Sequence, residues 1–220
     1  TFTISGRIIR SDSLQNLTEA GRTALVAYGV RTIIDLRLPV ELEHGPNSFA
    51  SNSDASVTYV HRSLLDPTQA REVTNASTLA EHYRNNLKAG GERIAAILET
   101  IAEAPDGGVL FHCQGGQDRT GLISAFLLDI AGVPAETIVA DYVLTQVLLS
   151  VGTETFLATF PPEKRAEIEE QIAFFTPAAH VMSDTLAFLD QEFGSPIGYL
   201  RGAGVSESTT NRLRDRLLTP

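Results

Sequence analysis

The single cysteine of this chain lies in the run His112-Cys113-Gln114-Gly115-Gly116-Gln117-Asp118-Arg119-Thr120-Gly121, six positions ahead of an arginine and with two glycines between them. Five intervening residues can curl so that their backbone N–H groups converge, and such a nest binds anions through fixed partial charges. The spacing describes a pocket for a phosphate dianion built from Gln114, Gly115, Gly116, Gln117, Asp118 and Arg119. Arg119 closes it with a fork of donors that matches two phosphate oxygens, which a lysine's point charge does not do. The same donors stabilise a thiolate, so Cys113 reads as a nucleophile and not only as a small core residue. A buried structural cysteine before a tight turn is the plain alternative. It has no need of a glycine-lined loop that ends in arginine.

Flanking segments must hold such a loop in place. An apolar, strand-like Gly108-Val109-Leu110-Phe111 precedes it, and the apolar run from Leu122 to Leu128 has helical character, so the loop should end at the positive end of a helix. Further short β-branched segments occur near 6–10, 32–35 and 57–60. Helical periods are expected from Glu19 to Tyr28 with Thr18 as N-cap and Gly29 as stop, from Leu79 to Ala89, and from Glu92 to Ala102. After the loop the chain reads as almost wholly helical. Pro134, Pro162 and Pro177 open helices toward Leu149, Phe175 and Phe193, and a last one runs from about Ser206 to Leu218. Strands alternating with helices early and helices clustering late predict an α/β fold. Its central, mainly parallel sheet of four or five strands is flanked by helices on both faces, and the phosphate loop joins a strand to a helix. A site at the carboxyl end of the Val109 strand is where open α/β sheets bind ligands.

At 220 residues and 43 % hydrophobic content, residues 1–220 are expected to fold as one domain. No apolar stretch approaches a membrane span and no signal segment opens the chain, so a soluble protein, cytoplasmic or secreted, is expected. A formal net charge of −10 argues against nucleic acid or anionic membrane as partners. One cysteine excludes an internal disulfide and a cysteine-rich zinc site, and the five histidines show no metal-ligand spacing. Neither a metal nor another cofactor is implied. The expected partner is a phosphorylated protein or peptide, and phosphate or sulfate is the expected occupant of the loop.

His-Cys-x-x-Gly-x-Asp-Arg-Thr-Gly resembles the signature loop of cysteine-dependent protein tyrosine phosphatases, in particular a bacterial group of broad specificity toward phosphotyrosine and phosphoinositides. Ile9-Arg10-Ser11-Asp12-Ser13-Leu14, Val30-Arg31-Thr32-Ile33-Ile34-Asp35-Leu36-Arg37, Ala140-Asp141-Tyr142-Val143-Leu144-Thr145 and Gly198-Tyr199-Leu200-Arg201-Gly202-Ala203-Gly204-Val205 are similar to other elements of that group. The resemblance spans nearly the whole chain. It implies hydrolysis of phosphotyrosine, with tolerance of phosphoserine and phosphothreonine, through a phosphocysteine intermediate. The group commonly carries lysine before the Asp-Arg pair, where it is associated with a second phosphate on phosphoinositides. Here Gln117 stands in that place, and a neutral amide forfeits the long-range attraction.

The resemblance makes Asp118 the leading general acid, against a role in orienting Arg119 or capping the following helix. Asp66, in Leu65-Asp66-Pro67, is the competitor, since it follows a predicted strand and sits where a loop acid of the wider superfamily would. Thr120 either donates its hydroxyl to the sulfur or caps the helix. His112 reads as a support that hydrogen-bonds the backbone and holds the loop, with a contribution to thiolate stability as the lesser reading. Arg10 and Arg37, at predicted strand ends, contact substrate or support the loop. The stretch from Gln146 to Phe193 offers a lid, with Phe156, Phe160, Phe174 and Phe175 over an apolar mouth, or plain helical core. An inositol phosphate or phosphoinositide phosphatase would use the same loop. A binding protein without turnover would lack the nucleophile or the arginine, and both are present.

Overall fold

The computed structural model describes residues 3–51, 56–66, 76–158, 160–174, 176 and 178–219, with the side chains of 149–156, 171 and 174 excepted. Four strands form one all-parallel sheet: β1 (Ile8–Ser11), β2 (Val30–Asp35), β3 (Thr58–His61) and β4 (Gly108–His112), in the order β1-β4-β2-β3. The helices are α1 (Glu19–Tyr28), α2 (Pro39–His44), α3 (Leu79–Glu103), α4 (Asp118–Ile130), α5 (Ala135–Ala158), α6 (Pro162–Phe174), α7 (Ala179–Phe193), α8 (Pro196–Gly202) and α9 (Glu207–Leu218).

Both faces of the sheet are covered, as a parallel sheet requires. β4 is buried along its whole length. Along it, Val109, Phe111 and Cys113 join Ile34 and Leu36 in a large core with α3, α4, α7 and α9. The alternate residues, Leu110 with Val30 and Ile33, pack on the other face beneath Leu25 and Val26 of α1. This period-two division puts the sulfur of Cys113 on the helix-rich side. The register aligns Ser11, His112, Asp35 and His61 in one row across the carboxyl edge of the sheet. That row is the floor on which the site is built.

Three expectations need correction. The two helices read from Leu79 to Ala89 and from Glu92 to Ala102 are one helix of 25 residues. Gly90 and Gly91 do not break it. Cβ atoms added there would make ordinary contacts, 3.5 Å from the Leu64 carbonyl and 3.4 Å from Ala203 Cβ, so the helix carries both glycines, at roughly 1 kcal/mol each, on the packing of its long buried face. The helix opening at Ala135 runs to Ala158, beyond the expected Leu149. Two short helices, α2 and α8, were not expected, although each carries proline in its first turn. Pro177 and Phe175 lie outside the described residues.

Candidate active site

Cys113 follows β4 directly, is 2 % exposed and faces the large core. The chain then turns through Gln114 to Gln117 into α4. Gly121 N–H bonds the Gln117 carbonyl at 2.7 Å, so the N–H groups of Asp118, Arg119 and Thr120 belong to the first turn, where a helix has no carbonyls of its own to offer them. The turn is held from outside. Ser13 N–H donates to the Gln114 carbonyl at 3.0 Å, and Arg10 donates to the Gly116 carbonyl at 2.9 Å, to Asp141 at 2.7 Å and to Thr145 at 3.0 Å. Arg10 is thus a loop support tied to α5. Gly116 has φ +68° and lies against β1, where an added Cβ would come within 2.7 Å of the Ser11 carbonyl.

Arg119 is clamped by a residue that the sequence did not single out. Its Nη1 and Nη2 reach Glu41 Oε2 and Oε1 at 2.5 and 2.8 Å, a bidentate pair. Glu41 also accepts the Leu38 N–H at 2.6 Å, half of a capping box, so α2 exists where it can present this carboxylate. Burial alone would lower the Arg119 pKa. The hydrogen bonds that it donates to Glu41 and the charges of Cys113 and Glu41 outweigh it, and the guanidinium is held even more firmly protonated than usual. Burial pushes the Glu41 carboxyl up, but Arg119 brings it below the ordinary carboxylate range.

Asp118 stands at the first position of α4. Tyr83 Oη donates to its Oδ1 at 2.8 Å, Gln117 Nε2 lies 3.2 Å from the same oxygen, and Tyr142 Oη is 2.9 Å from Tyr83 Oη. Two helices, α3 and α5, therefore fix this carboxyl through a pair of tyrosines. Burial raises the Asp118 pKa; the hydrogen bond from Tyr83 and the charges of His82 and Arg119 oppose it without cancelling it. A carboxyl held above its ordinary range keeps its proton to higher pH. Burial and the neighbouring Asp118 push Tyr83 far upward, so its phenol stays protonated and donating. Gln117 is itself buried, with its amide turned to Asp118, and does not project toward solvent as a free basic group would.

Beneath the loop lies a closed polar network. His112 Nδ1–H donates to the Cys113 carbonyl at 2.9 Å, which leaves Nε2 to accept from Asn47 Nδ2 at 2.8 Å. The Asn47 amide also donates to Asp35 Oδ2 at 3.1 Å. Burial lowers the His112 pKa despite the Asp35 charge, so a neutral imidazole with its proton on Nδ1 fits both the Cys113 carbonyl and the Asn47 amide. Arg37 is fully buried; it pairs with Asp35 at 2.9 and 2.7 Å and donates to the Gly45 carbonyl at 2.8 Å. Of the two roles read for Arg37, support of the loop and contact with substrate, its full burial against Asp35 agrees with support.

A family model described as tyrosine phosphatase family matches residues 2–219. The chain belongs to the tyrosine phosphatase family. It is 31 % identical over 226 residues to a tyrosine-protein phosphatase of Nostoc commune, covering 95 % of this chain and 73 % of that one. It is 26 % identical over 251 residues to the triple specificity protein phosphatase PtpB of Mycobacterium tuberculosis, covering 97 % of this chain and 91 % of that one. The enzyme class is phosphoric monoester hydrolase.

Within this phosphatase fold the other expected residues fall apart from the loop or at its edge. Asp66 pairs with Arg93 of α3 at 2.8 Å. Thr120 is the third residue of α4, not its cap, a position held by Gln117, and its buried hydroxyl has no hydrogen-bond partner among the described residues. Of the expected lid, Phe156, Phe174 and Phe175 lie outside the described side chains, while the Phe160 carbonyl accepts from Arg165 at 3.0 Å. Among the described residues there is no helix long and apolar enough to cross a membrane, and no cluster of potential metal ligands. Glu41, Asn47 and Tyr83 were not foreseen in the site, and Tyr142, in a segment similar to the family's, was given no role in it. Of the first three, Glu41 had a local signal, the Leu38-Pro39-Val40-Glu41 pattern of a helix start.

Proposed function

We propose that residues 1–220 form one phosphatase domain that hydrolyses phosphotyrosine through a phosphocysteine intermediate. One observation carries the reading: Arg119, clamped by Glu41, and Asp118, fixed by Tyr83, leave the same first turn of α4 that faces the loop of Cys113.

In the first step the Cys113 thiolate attacks phosphorus in line. The bond to the leaving oxygen breaks, and Asp118 delivers its proton to that oxygen. Charge on the equatorial oxygens is met by the loop N–H groups from Gln114 to Arg119 and by the Arg119 fork. In the second step Asp118, now a carboxylate, takes a proton from water as that water attacks phosphorus and sulfur departs. The Thr120 hydroxyl, buried and without a hydrogen-bond partner among the described residues, would donate to the departing thiolate. His112, neutral and anchored by Asn47, fixes the Cys113 carbonyl. Asp66, committed to Arg93, is left with a structural role.

The kinship with PtpB, named for triple specificity, supports a substrate range wider than phosphotyrosine, with phosphoserine, phosphothreonine and phosphoinositides as its candidates. The buried, neutral Gln117 and the scarcity of lysine, only Lys88 and Lys164, speak against a phosphoinositide as the preferred substrate. The test is hydrolysis of p-nitrophenyl phosphate and of phosphotyrosine, phosphoserine, phosphothreonine and phosphoinositide substrates by the wild type and by Cys113→Ser. Turnover of the aryl phosphate and phosphotyrosine that vanishes in the variant is expected. Residual turnover in Cys113→Ser comparable to wild type would overturn the cysteine mechanism.

A further inference from the structure

Beside the loop, between the end of β1 and the outer face of α5, opens a cleft of about 410 Å³. Gly115 and Gly116 form its inner edge, so it is continuous with the mouth of the phosphate loop. Its far wall is apolar. Leu144 and Leu148, one turn apart on α5, are 53 % and 68 % exposed, unusual for leucines with no described cover. Its near wall carries Asp12, held against the loop because the Ser11 carbonyl and Asp12 N–H abut Gly116 and the next residue, Ser13, bonds Gln114.

The charges along this cleft are unequal. Arg10 lines it but is spent on Asp141, Thr145 and the Gly116 carbonyl, so it forms with Asp141 a pair of no net charge. The Asp12 carboxylate is exposed and makes no hydrogen bond or ion pair among the described residues. The cleft therefore presents two leucines and one uncompensated negative charge next to the phosphate site. A long basic side chain matches this surface: its methylene stem lies on apolar surface while its cationic head stays in water near a carboxylate. A second phosphate would meet Asp12 instead, with the guanidinium of Arg10 already occupied.

We propose that this cleft is a specificity subsite, in which Asp12, Leu144 and Leu148 receive a lysine or arginine side chain flanking the phosphotyrosine of a peptide substrate. The inference rests on the phosphatase reading above and names its substrate class: singly phosphorylated peptides with basic flanks.

The experiment compares phosphotyrosine peptides identical except for lysine, alanine or glutamate at the positions next to the phosphotyrosine. kcat/KM for each is normalised to that for p-nitrophenyl phosphate, which is too small to span the cleft. Wild type should favour lysine over glutamate by about three- to tenfold at low salt, the scale of an exposed charge contact, and the ratio should shrink as salt rises. Asp12→Asn should bring the two peptides to within about twofold of each other. Leu148→Asn should lower the lysine and alanine peptides while leaving the salt dependence of their ratio in place. Equal wild-type values for lysine and glutamate, or a preference for glutamate or for a doubly phosphorylated peptide, would overturn the subsite while leaving the phosphatase reading intact. Absence of any turnover, p-nitrophenyl phosphate included, would overturn the phosphatase reading. Binding of the same peptides to Cys113→Ser then decides the cleft separately, since equal affinity for the lysine and glutamate peptides removes it.

Discussion

Glu41 grips Arg119 with both carboxylate oxygens, so that a guanidinium which has to lie along two phosphate oxygens is fixed in plane before substrate arrives. The clamp comes from the six-residue helix that follows β2, and Glu41 also secures that helix through the Leu38 N–H. Positioning, not charge alone, is what such a pair supplies, because a free arginine would sweep many rotamers. Glu41→Ala should reduce kcat/KM on an aryl phosphate by roughly ten- to a hundredfold, on the scale of a misplaced catalytic group. Glu41→Gln, which keeps one acceptor, should lose less. Steady-state kinetics beside circular dichroism separates this from unfolding; wild-type kinetics in both variants would show that Arg119 needs no clamp.

Asp118 links activity and stability with opposite signs. Its folded pKa is raised, so its favourable contribution to folding is complete below the ordinary aspartate value of 3.8 and is lost as pH rises through the raised value. At neutral pH the ionised carboxylate is therefore a cost, and Asp118→Asn, which still accepts from Tyr83, should unfold at an equal or higher temperature there. The same variant should lose the basic limb of the kcat/KM profile. It should fall by about a hundredfold or more on phenyl phosphate and by much less on p-nitrophenyl phosphate, whose leaving group needs little protonation. Asp66→Asn should leave this leaving-group dependence unchanged. The opposite pattern, a penalty in Asp66→Asn alone, would transfer the acid to Asp66.

The helix and strand pattern was legible because it rests on local chemistry. Thr18 and Ser206 accept helix N–H groups where capping residues should, Gly29 takes a left-handed turn, and the strand before Cys113 is a run of buried apolar residues. The loop was legible for the same reason, since its residues are consecutive. Its supports come from elsewhere in the chain, and their side chains carry no mark of their purpose: Tyr83 lies 35 residues before Asp118, and Glu41 lies 78 before Arg119. Gly90 and Gly91 misled because what offsets their low helix propensity, the packing of the buried face of that helix, exists only after folding.

The network beneath the loop should fail in acid. Burial raises the Asp35 pKa, but the hydrogen bonds from Arg37 and Asn47 and the charge of Arg37 bring it below 3.8. Its contribution to stability is then present above that value and lost as pH falls through the lower, folded one. Asp35→Ala would leave Arg37 buried without its carboxylate, which costs about 3–5 kcal/mol for a pair of this kind. Denaturant unfolding at neutral pH should register that loss, and the difference between wild type and variant should narrow below pH 4. A constant difference down to the lowest pH would mean that Asp35 stabilises by packing, not by charge.

The two adjacent glycines of the loop make a paired test of its shape. Gly116 has φ +68° and a β1 carbonyl within 2.7 Å of any added Cβ, so Gly116→Ala meets both backbone strain and a wall that cannot rotate away. The strain alone is about 1–2 kcal/mol, and relieving the clash requires Gly116 to move away from β1, which displaces the N–H groups aimed at phosphate. Gly115 has no atom within 4 Å of an added Cβ and a φ outside the left-handed range, so Gly115→Ala should stay within about 0.5 kcal/mol of wild type. Thermal unfolding and p-nitrophenyl phosphate turnover on both variants are the measurements. Gly116→Ala should lose stability and more than a hundredfold in kcat/KM, whereas Gly115→Ala should keep its fold and most of its rate. If the two behaved alike, the contact between Gly116 and β1 would have no part in shaping the loop.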